Sequence, residues 1–317
     1  MEFTDFLAAV IAFVITLALF PVILPLLRKL KFGQFVRDDG PETHLAKAGT
    51  PTMGGIIFLA GFIIASAVFV KSTPQIIPII FMTAGFGLIG FCDDYLKVVK
   101  KRSLGLKAIQ KLILQLLLAT VFFVYLYFYS SLDTNIIIPF FHGMQFDLGF
   151  LYLPFAIIVI LGTVNGTNLT DGIDGLATTV TIVVVGFLIF ASQLLGTKII
   201  PSAAALLGAL LGFLIFNWHP AKIFMGDTGS LAIGGFVATT ALMLKIPLFI
   251  LLFGIIYLLE SISVILQVGY YKKTQKRIFK MAPIHHHFEK SGWNEVKVVV
   301  VFTLITIFFS IIALYAL

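Results

Sequence analysis

The chain predicts an all-α polytopic membrane protein, and three observations lead there. Of its 317 residues, 59% are hydrophobic and only 12% charged, more apolar surface than a soluble domain of this length can hide but what a bilayer solvates. Ten stretches are apolar over roughly the 17–25 residues that a helix needs to cross a hydrocarbon core. The basic residues gather in alternate loops between those stretches.

The ten spans fall at about 5–27, 53–70, 76–92, 112–130, 151–169, 175–195, 199–217, 228–244, 246–268 and 296–316. Before the first, Met1-Glu2-Phe3-Thr4-Asp5 lacks the basic region of a cleaved signal peptide, so that span is read as retained. The fifth is expected to be the least regular, because it ends in Asn165-Gly166-Thr167-Asn168, and irregular backbone at membrane depth needs protein or water around it. The 33 phenylalanines suit lipid-facing packing. A single cysteine, Cys92, excludes an internal disulfide and a cysteine metal cluster. Neither an internal repeat nor a low-complexity segment divides residues 1–317, which read as one domain.

Charge sets the expected orientation. Loops 28–52, 93–111, 170–174, 218–227 and 269–295, with Lys297 at the edge of the last, hold 19 of the 22 Lys and Arg; the intervening loops hold Lys71, Lys198 and Lys245. Basic loops stay in the cytoplasm, so both termini are expected outside. The net charge of +7 is then a topology signal and requires no nucleic acid, for which no motif is present. One outside loop, 131–150, places two short extended stretches around His142-Gly143, the pattern of a small periplasmic β-hairpin.

The acidic residues carry the chemistry. Asp93 and Asp94 end the third span; Asp171 and Asp174 lie between the fifth and sixth; Asp227 precedes the eighth. All five approach the cytoplasmic boundary, where a carboxylate is costly unless paired, metal-bound or wet. One such Asp reads best as a helix cap; five in three Gly-rich turns on one side do not. The i,i+3 spacing of Asp171 and Asp174 points them to one side if the turn is helical, whereas adjacent Asp93 and Asp94 cannot share a face and are expected to differ in role. Clustered carboxylates without cysteine suit Mg²⁺, which takes one or two carboxylates plus substrate phosphates, so a diphosphate substrate is the natural partner. Among the bases, Lys47 stands apart in a Gly/Pro/Thr loop. Most of Lys97, Lys100, Lys101, Arg102, Lys107 and Lys111 read as headgroup contacts. His285-His286-His287 suit phosphate or nucleotide contact, with a structural role as the competing reading, better than zinc, since consecutive residues rarely converge on one metal.

Assembled in order, Lys47-Ala-Gly-Thr-Pro-Thr-Met-Gly-Gly55, Asp93-Asp-Tyr95, Asn165-Gly-Thr-Asn-Leu-Thr-Asp-Gly-Ile-Asp-Gly175, Asn217-Trp-His-Pro220, Phe224-Met-Gly-Asp-Thr-Gly-Ser230 and Ala282-Pro-Ile-His-His-His-Phe-Glu289 closely resemble the phospho-N-acetylmuramoyl-pentapeptide transferases. The Asp pair and the Asn-Asp loop look like the wider polyprenyl-phosphate sugar-1-phosphate transferase superfamily; the His segment is similar to the muramoyl-pentapeptide branch. The resemblance implies ten transmembrane helices, a homodimer, a cytoplasmic cleft, and transfer of the phosphosugar from UDP-N-acetylmuramoyl-pentapeptide to undecaprenyl phosphate in the bacterial inner membrane. By motif position it implies a catalytic set of Asp93, Asp94, Asp171, Asp227 and His285. Asp227 looks like the principal Mg²⁺ ligand, with Asp93 and Asp94 beside it, and Asp174 completes the acidic cluster. Lys47, Asn168, Asp174 and Phe224 resemble the nucleoside end. Asn165, Asn217, Lys97, Lys111, His286 and His287 resemble phosphate and sugar contacts, and Thr52, Leu169 and Gln267 join the substrate set.

Two rivals follow from the same residues. A sister enzyme would take UDP-N-acetylglucosamine instead. A cation-coupled transporter would place acids at the membrane midplane, and only Glu260, inside the ninth span, fits that.

Overall fold

A computed structural model describes residues 3–29, 49–98, 100, 105–129, 133–141 and 143–317. Its helices are α1 (Phe3–Lys29), α2 (Gly55–Phe69), α3 (Ile77–Val98), α4 (Ala108–Tyr129), α5 (Tyr152–Thr170), α6 (Leu176–Leu194), α7 (Ile200–Asn217), α8 (Gly226–Met243), α9 (Ile250–Phe253), α10 (Ile255–Thr274), α11 (Ile284–Glu289) and α12 (Glu295–Ala316). Each predicted span overlaps a helix. Among the described residues seven helices are long and apolar enough to cross a membrane, or eight if one bent pair is a single span, so the chain is a multi-pass membrane protein.

Two of the ten expected spans differ from the rest for a physical reason. Helix α2 has 15 residues, short for a hydrocarbon core. Helix α8 opens on Gly226-Asp-Thr-Gly-Ser230, and every residue from Thr228 to Leu242 is buried. It is the central post of the bundle, packed by α3, α5 and α2. A helix wrapped by protein needs no lipid-facing stripe, so its sequence tolerates polar residues. The phenylalanines divide likewise. Phe58 meets Phe213 edge-on at 5.3 Å and Phe62 meets Phe236 at 5.7 Å, all four fully buried. Aromatic packing therefore serves the core as well as the lipid face.

Two expectations about helix regularity are corrected. The fifth span stays helical through Asn165–Asn168 to Thr170, and the irregular backbone begins only at Asp171. The expected ninth span, 246–268, is not one rod: Pro247–Phe253 and Ile255–Thr274 meet at 85°, broken at Gly254. Its second arm then runs on to Thr274, carrying Lys272 and Lys273 in its last turn.

At the end of the bundle away from the acidic motifs, β1 (Asn135–Ile137) and β2 (Gln145–Asp147) pair antiparallel, Ile136 opposite Phe146. The hairpin read from the sequence is thus present, although His142 lies outside the described residues. It is tied down by Ile137 N–H donating to Lys245 O (2.7 Å), Phe140 N–H donating to Ala316 O (2.9 Å), and a Lys245–Asp133 ion pair.

Candidate active site

Three segments far apart in sequence meet where α3 crosses the start of α8. The crossing is close because Gly90 lacks a side chain: a Cβ there would sit 2.0 Å from the backbone oxygen of Asp227. That approach puts the end of α3, with Asp93 and Asp94, beside the first turn of α8.

Helix α8 has no local side-chain cap. Asp94 supplies one from the neighbouring helix. Its Oδ1 accepts from Asp227 N (3.1 Å), and its Oδ2 accepts from Thr228 N (2.9 Å) and the Thr228 hydroxyl (2.7 Å). A carboxylate on orphan N–H groups at the positive end of a helix dipole is favourably placed. Asp93 faces elsewhere, its Oδ1 accepting from Leu106 N (2.8 Å) and its Oδ2 pairing with Lys97 Nζ (2.5 Å). The adjacent acids do have different partners, as the helical geometry requires.

Asp227 gathers the cations. Lys97 and Lys111 both reach its Oδ2, at 3.0 and 2.9 Å, while the Asn168 side-chain amide donates to its Oδ1 (2.9 Å) and to Ser230 Oγ (2.9 Å). Lys111 also donates to Asn168 Oδ1 (3.2 Å). Carboxylate oxygens of Asp93, Asp94 and Asp227 lie within 4.8 Å of one another, so this group can hold a metal ion. An all-oxygen set suits a hard cation. Asp171 completes the rim: burial first, then the nearby charges of Asp227 and Asp94, push its carboxyl up to about 8.

Asp174 does not join this cluster. The 171–175 segment is a series of turns rather than a helix, so the i,i+3 spacing does not align the two acids. Asp174 Oδ2 instead takes His219 Nδ1 (3.0 Å) and Ala221 N–H (3.0 Å), with Glu295 Oε2 3.8 Å from the same imidazole nitrogen. Asp174, His219 and Glu295 form a second compact group of metal-ligating types.

The remaining candidates are distributed around these two groups. Asn165 donates to Gln115 Oε1 (3.1 Å) and to Leu161 O (2.8 Å). Buried Asn217 is a structural latch, accepting from Thr178 Oγ1 (2.6 Å) and donating to Ile223 O (3.0 Å). Thr52 is buried beside Gly226, and Leu169 and Phe224 are half-buried. Pro51 O accepts from Phe224 N (2.8 Å), and Phe224 O accepts from Gly54 N (2.8 Å), stitching the Gly/Pro/Thr segment to the Asp227 loop. Gln267 straps the 278–279 backbone, accepting from Ile278 N and Phe279 N at 3.0 Å. The three histidines diverge: fully buried His285 pairs with Glu260, His286 with Glu289, and His287 Nδ1 accepts from Lys280 N. Lys47 lies outside the described residues.

Sequence reasoning assigned no role to Thr228, Ser230, His219 or Glu295. Three of these sit inside the quoted motifs, which was the available signal; Glu295 stands outside them, and only space brings it near Asp174.

Comparison with known proteins gives the family. Residues 76–245 match the family described as Glycosyl transferase family 4, and residues 47–59 match the Phospho-N-acetylmuramoyl-pentapeptide-transferase signature 1. The chain is 52% identical over 309 residues to a phospho-N-acetylmuramoyl-pentapeptide-transferase of Clostridium perfringens strain SM101, covering 97% of this chain and 95% of that protein. It is 50% identical to the protein of the same name from Clostridioides difficile strain 630, covering 97% and 96%. A third, from Acetivibrio thermocellus, is 51% identical, covering 97% and 94%.

Proposed function

The chain belongs to the phospho-N-acetylmuramoyl-pentapeptide-transferase family, and from that premise we propose that it moves phospho-N-acetylmuramoyl-pentapeptide from its UDP-linked donor to undecaprenyl phosphate. The products are lipid I and UMP, the first membrane step of peptidoglycan synthesis. The observation that carries this reading is the convergence of Lys97 and Lys111 on Asp227 beside Asp93 and Asp94: two cations and three carboxylates within one recess. That is the complement of a diphosphate bound with a divalent ion.

In this scheme a lipid phosphate oxygen attacks the sugar-bearing phosphorus of the donor. The bond from that phosphorus to the bridging oxygen breaks, and UMP leaves with the electron pair. A phosphate monoester has its second pKa near 6 and is largely dianionic at neutral pH, so it attacks with little activation. Asp93 orients it and takes any remaining proton; both Asp93 oxygens already hold donors, Leu106 N–H and Lys97. Lys97 and Lys111 turn from Asp227 to the diphosphate oxygens as the donor enters. Asp227, with Asp93 and Asp94, would hold Mg²⁺, which would supply stabilisation of the charge on the departing UMP. Phe224 stacks on the uracil, with Lys47, Asn168 and Asp174 at the nucleoside, and His285–His287 lie toward the phosphosugar.

The same reading makes the protein a homodimer with ten spans in the bacterial inner membrane, α2 and α8 counted among them, both termini outside and the cleft facing the cytoplasm. The 19-to-3 division of basic residues between alternate loops supports that orientation.

The test uses purified protein in detergent with Mg²⁺, undecaprenyl phosphate and radiolabelled donor. UMP release and labelled lipid are expected from UDP-N-acetylmuramoyl-pentapeptide and neither from UDP-N-acetylglucosamine. The opposite preference would assign the chain to the sister activity, and no transfer from either donor would overturn the enzyme reading.

A further inference from the structure

The arm α10 carries an acid that the acidic recess does not use. Glu260 is fully buried in the second turn of α10, the longer arm of the bent pair. A carboxylate there is costly unless it has a partner. Its partner is not a lysine or arginine: Oε1 lies 3.0 Å from Nδ1 of His285, which is itself fully buried. The far atoms of the pair, Glu260 Oε2 and His285 Nε2, have no hydrogen-bond partner among the described residues. In such a position, unsatisfied polar atoms call for an explanation beyond stability.

The surroundings supply one. The Nε2 edge of His285 lies against Gly172, where an added Cβ would meet Nε2 at 2.1 Å and Cε1 at 2.5 Å. Gly172 follows Asp171, on the acidic rim, and precedes Asp174 by two residues. The helices on either side of that loop also grip the turn of α10 that bears Glu260. On α5, a Cβ at Gly166 would meet Tyr257 O at 2.9 Å and Ser261 Oγ at 3.1 Å; on α6, Thr181 Oγ1 is 2.8 Å from the Tyr257 hydroxyl. The imidazole is therefore a wedge between a rigid helix and the underside of the 171–175 loop.

We propose that Glu260 is a positioning residue: its carboxylate fixes the tautomer and tilt of His285, and the imidazole edge sets the height of the loop bearing Asp171 and Asp174. With Oε1 as the acceptor of this hydrogen bond, Nδ1 carries the proton and Nε2 turns a lone pair toward the Gly172 backbone. Glu260 does not touch substrate; it acts through His285 and the loop. The inference rests on the transferase reading above, in which Asp174 serves the nucleoside end.

Replacing Glu260 by Met keeps the volume and removes the acceptor; Glu260→Gln keeps an acceptor without the charge. Kinetics of the purified variants and ¹⁵N-histidine spectra, with the His285 signal identified by its loss in His285→Asn, test the idea. In wild type the His285 proton is expected on Nδ1. Glu260→Met is expected to lose that signature and to raise KM for the nucleotide donor about tenfold, with kcat falling similarly, as small misplacements near a reacting centre do. Its KM for the lipid phosphate is expected to stay constant, and Glu260→Gln to recover the donor KM to within about threefold. A purely structural role would lower the active fraction and leave both KM values unchanged, and that result overturns the proposal. So does Gln performing no better than Met, or a wild-type His285 proton on Nε2, a measurement that stands if the Met variant fails to fold. Failure of wild type to release UMP would instead sink the transferase reading, while the spectra still decide the pair.

Discussion

The two ends of the bundle treat the same side chain in opposite ways. At the acidic end, Asp171 is recessed among Asp227 and Asp94, and burial pushes its carboxyl up to about 8, with their charges adding to the rise. At the hairpin end, Asp133 stands exposed; its bonds from Lys245 and the Asn135 N–H pull its carboxyl down to about 2. Asp147 is likewise held below the usual range, by the Thr134 hydroxyl and Gly149 N–H. At Asp171 desolvation outweighs hydrogen bonding, and at Asp133 hydrogen bonding outweighs desolvation. One end holds a carboxyl that burial keeps protonated; the other uses its charge to fasten a turn.

The largest expected effect comes from breaking the charged end. Asp227→Asn removes the group on which Lys97 and Lys111 converge, and UMP release should fall on the order of 10²–10³-fold or more, with helical content and melting temperature retained. Full activity at ordinary Mg²⁺ would remove Asp227 from the site. Next comes the crossing that assembles it. Gly90→Ala adds a methyl 2.0 Å from Asp227 O, so α8 must shift, at a cost of about 1–3 kcal/mol. A thermal melt and the transfer assay should both show the loss; an unchanged rate would mean that the α3–α8 approach does not set the geometry.

Asp171→Asn sharpens the contrast itself. A raised carboxyl pKa means that the folded state keeps a proton that the unfolded chain has already lost, so wild-type stability falls as pH climbs from about 4 to about 8. The Asn variant lacks that penalty. In EDTA its melting temperature should match wild type near pH 4 and exceed it by roughly 2–4 °C above pH 8. A constant offset across that range would contradict the assigned environment.

The hairpin end should answer weakly. The lowered carboxyl of Asp133 contributes above its unfolded pKa near 4, and the contribution is lost as pH falls through about 2. Because the Lys245–Asp133 pair is solvent-exposed, Asp133→Asn should change melting by no more than about 1 °C at pH 7 and leave transfer untouched. A larger loss would mean that the hairpin is more than a fastening. A final measurement changes no function and tests only which end faces which compartment. In a Cys92→Ser background, a membrane-impermeant thiol reagent on intact cells should label Met144→Cys and spare Lys290→Cys, and the reverse pattern would invert the orientation.

The legibility of the site follows the range of the forces that made it. The six motif segments announced Asp93, Asp94, Asp171 and Asp227, because each is punctuated locally by Gly, Pro and Thr. The division of labour among them was not legible. Asp94 looked like a metal ligand by position, and besides lying in the group that can hold a metal ion its two oxygens cap a helix that begins 132 residues later. Asp174 looked like a partner of Asp171, yet it turned to His219. Glu260 looked like a transporter's acid until its histidine was found 25 residues downstream.

The sequence by itself determined what local physics determines: which runs are apolar, which loops carry the cations, where a hairpin turns, and which segments carry the family's motifs. Only the tertiary structure decided that α8 is the protein-wrapped post, that the ninth span breaks by 85° at Gly254, and which atom each carboxylate meets. Hydropathy and turn propensity act over a few residues of chain. A carboxylate's role is set by the donors, charges and water within a few ångströms of it, and those arrive from helices whose order in space composition and periodicity do not encode.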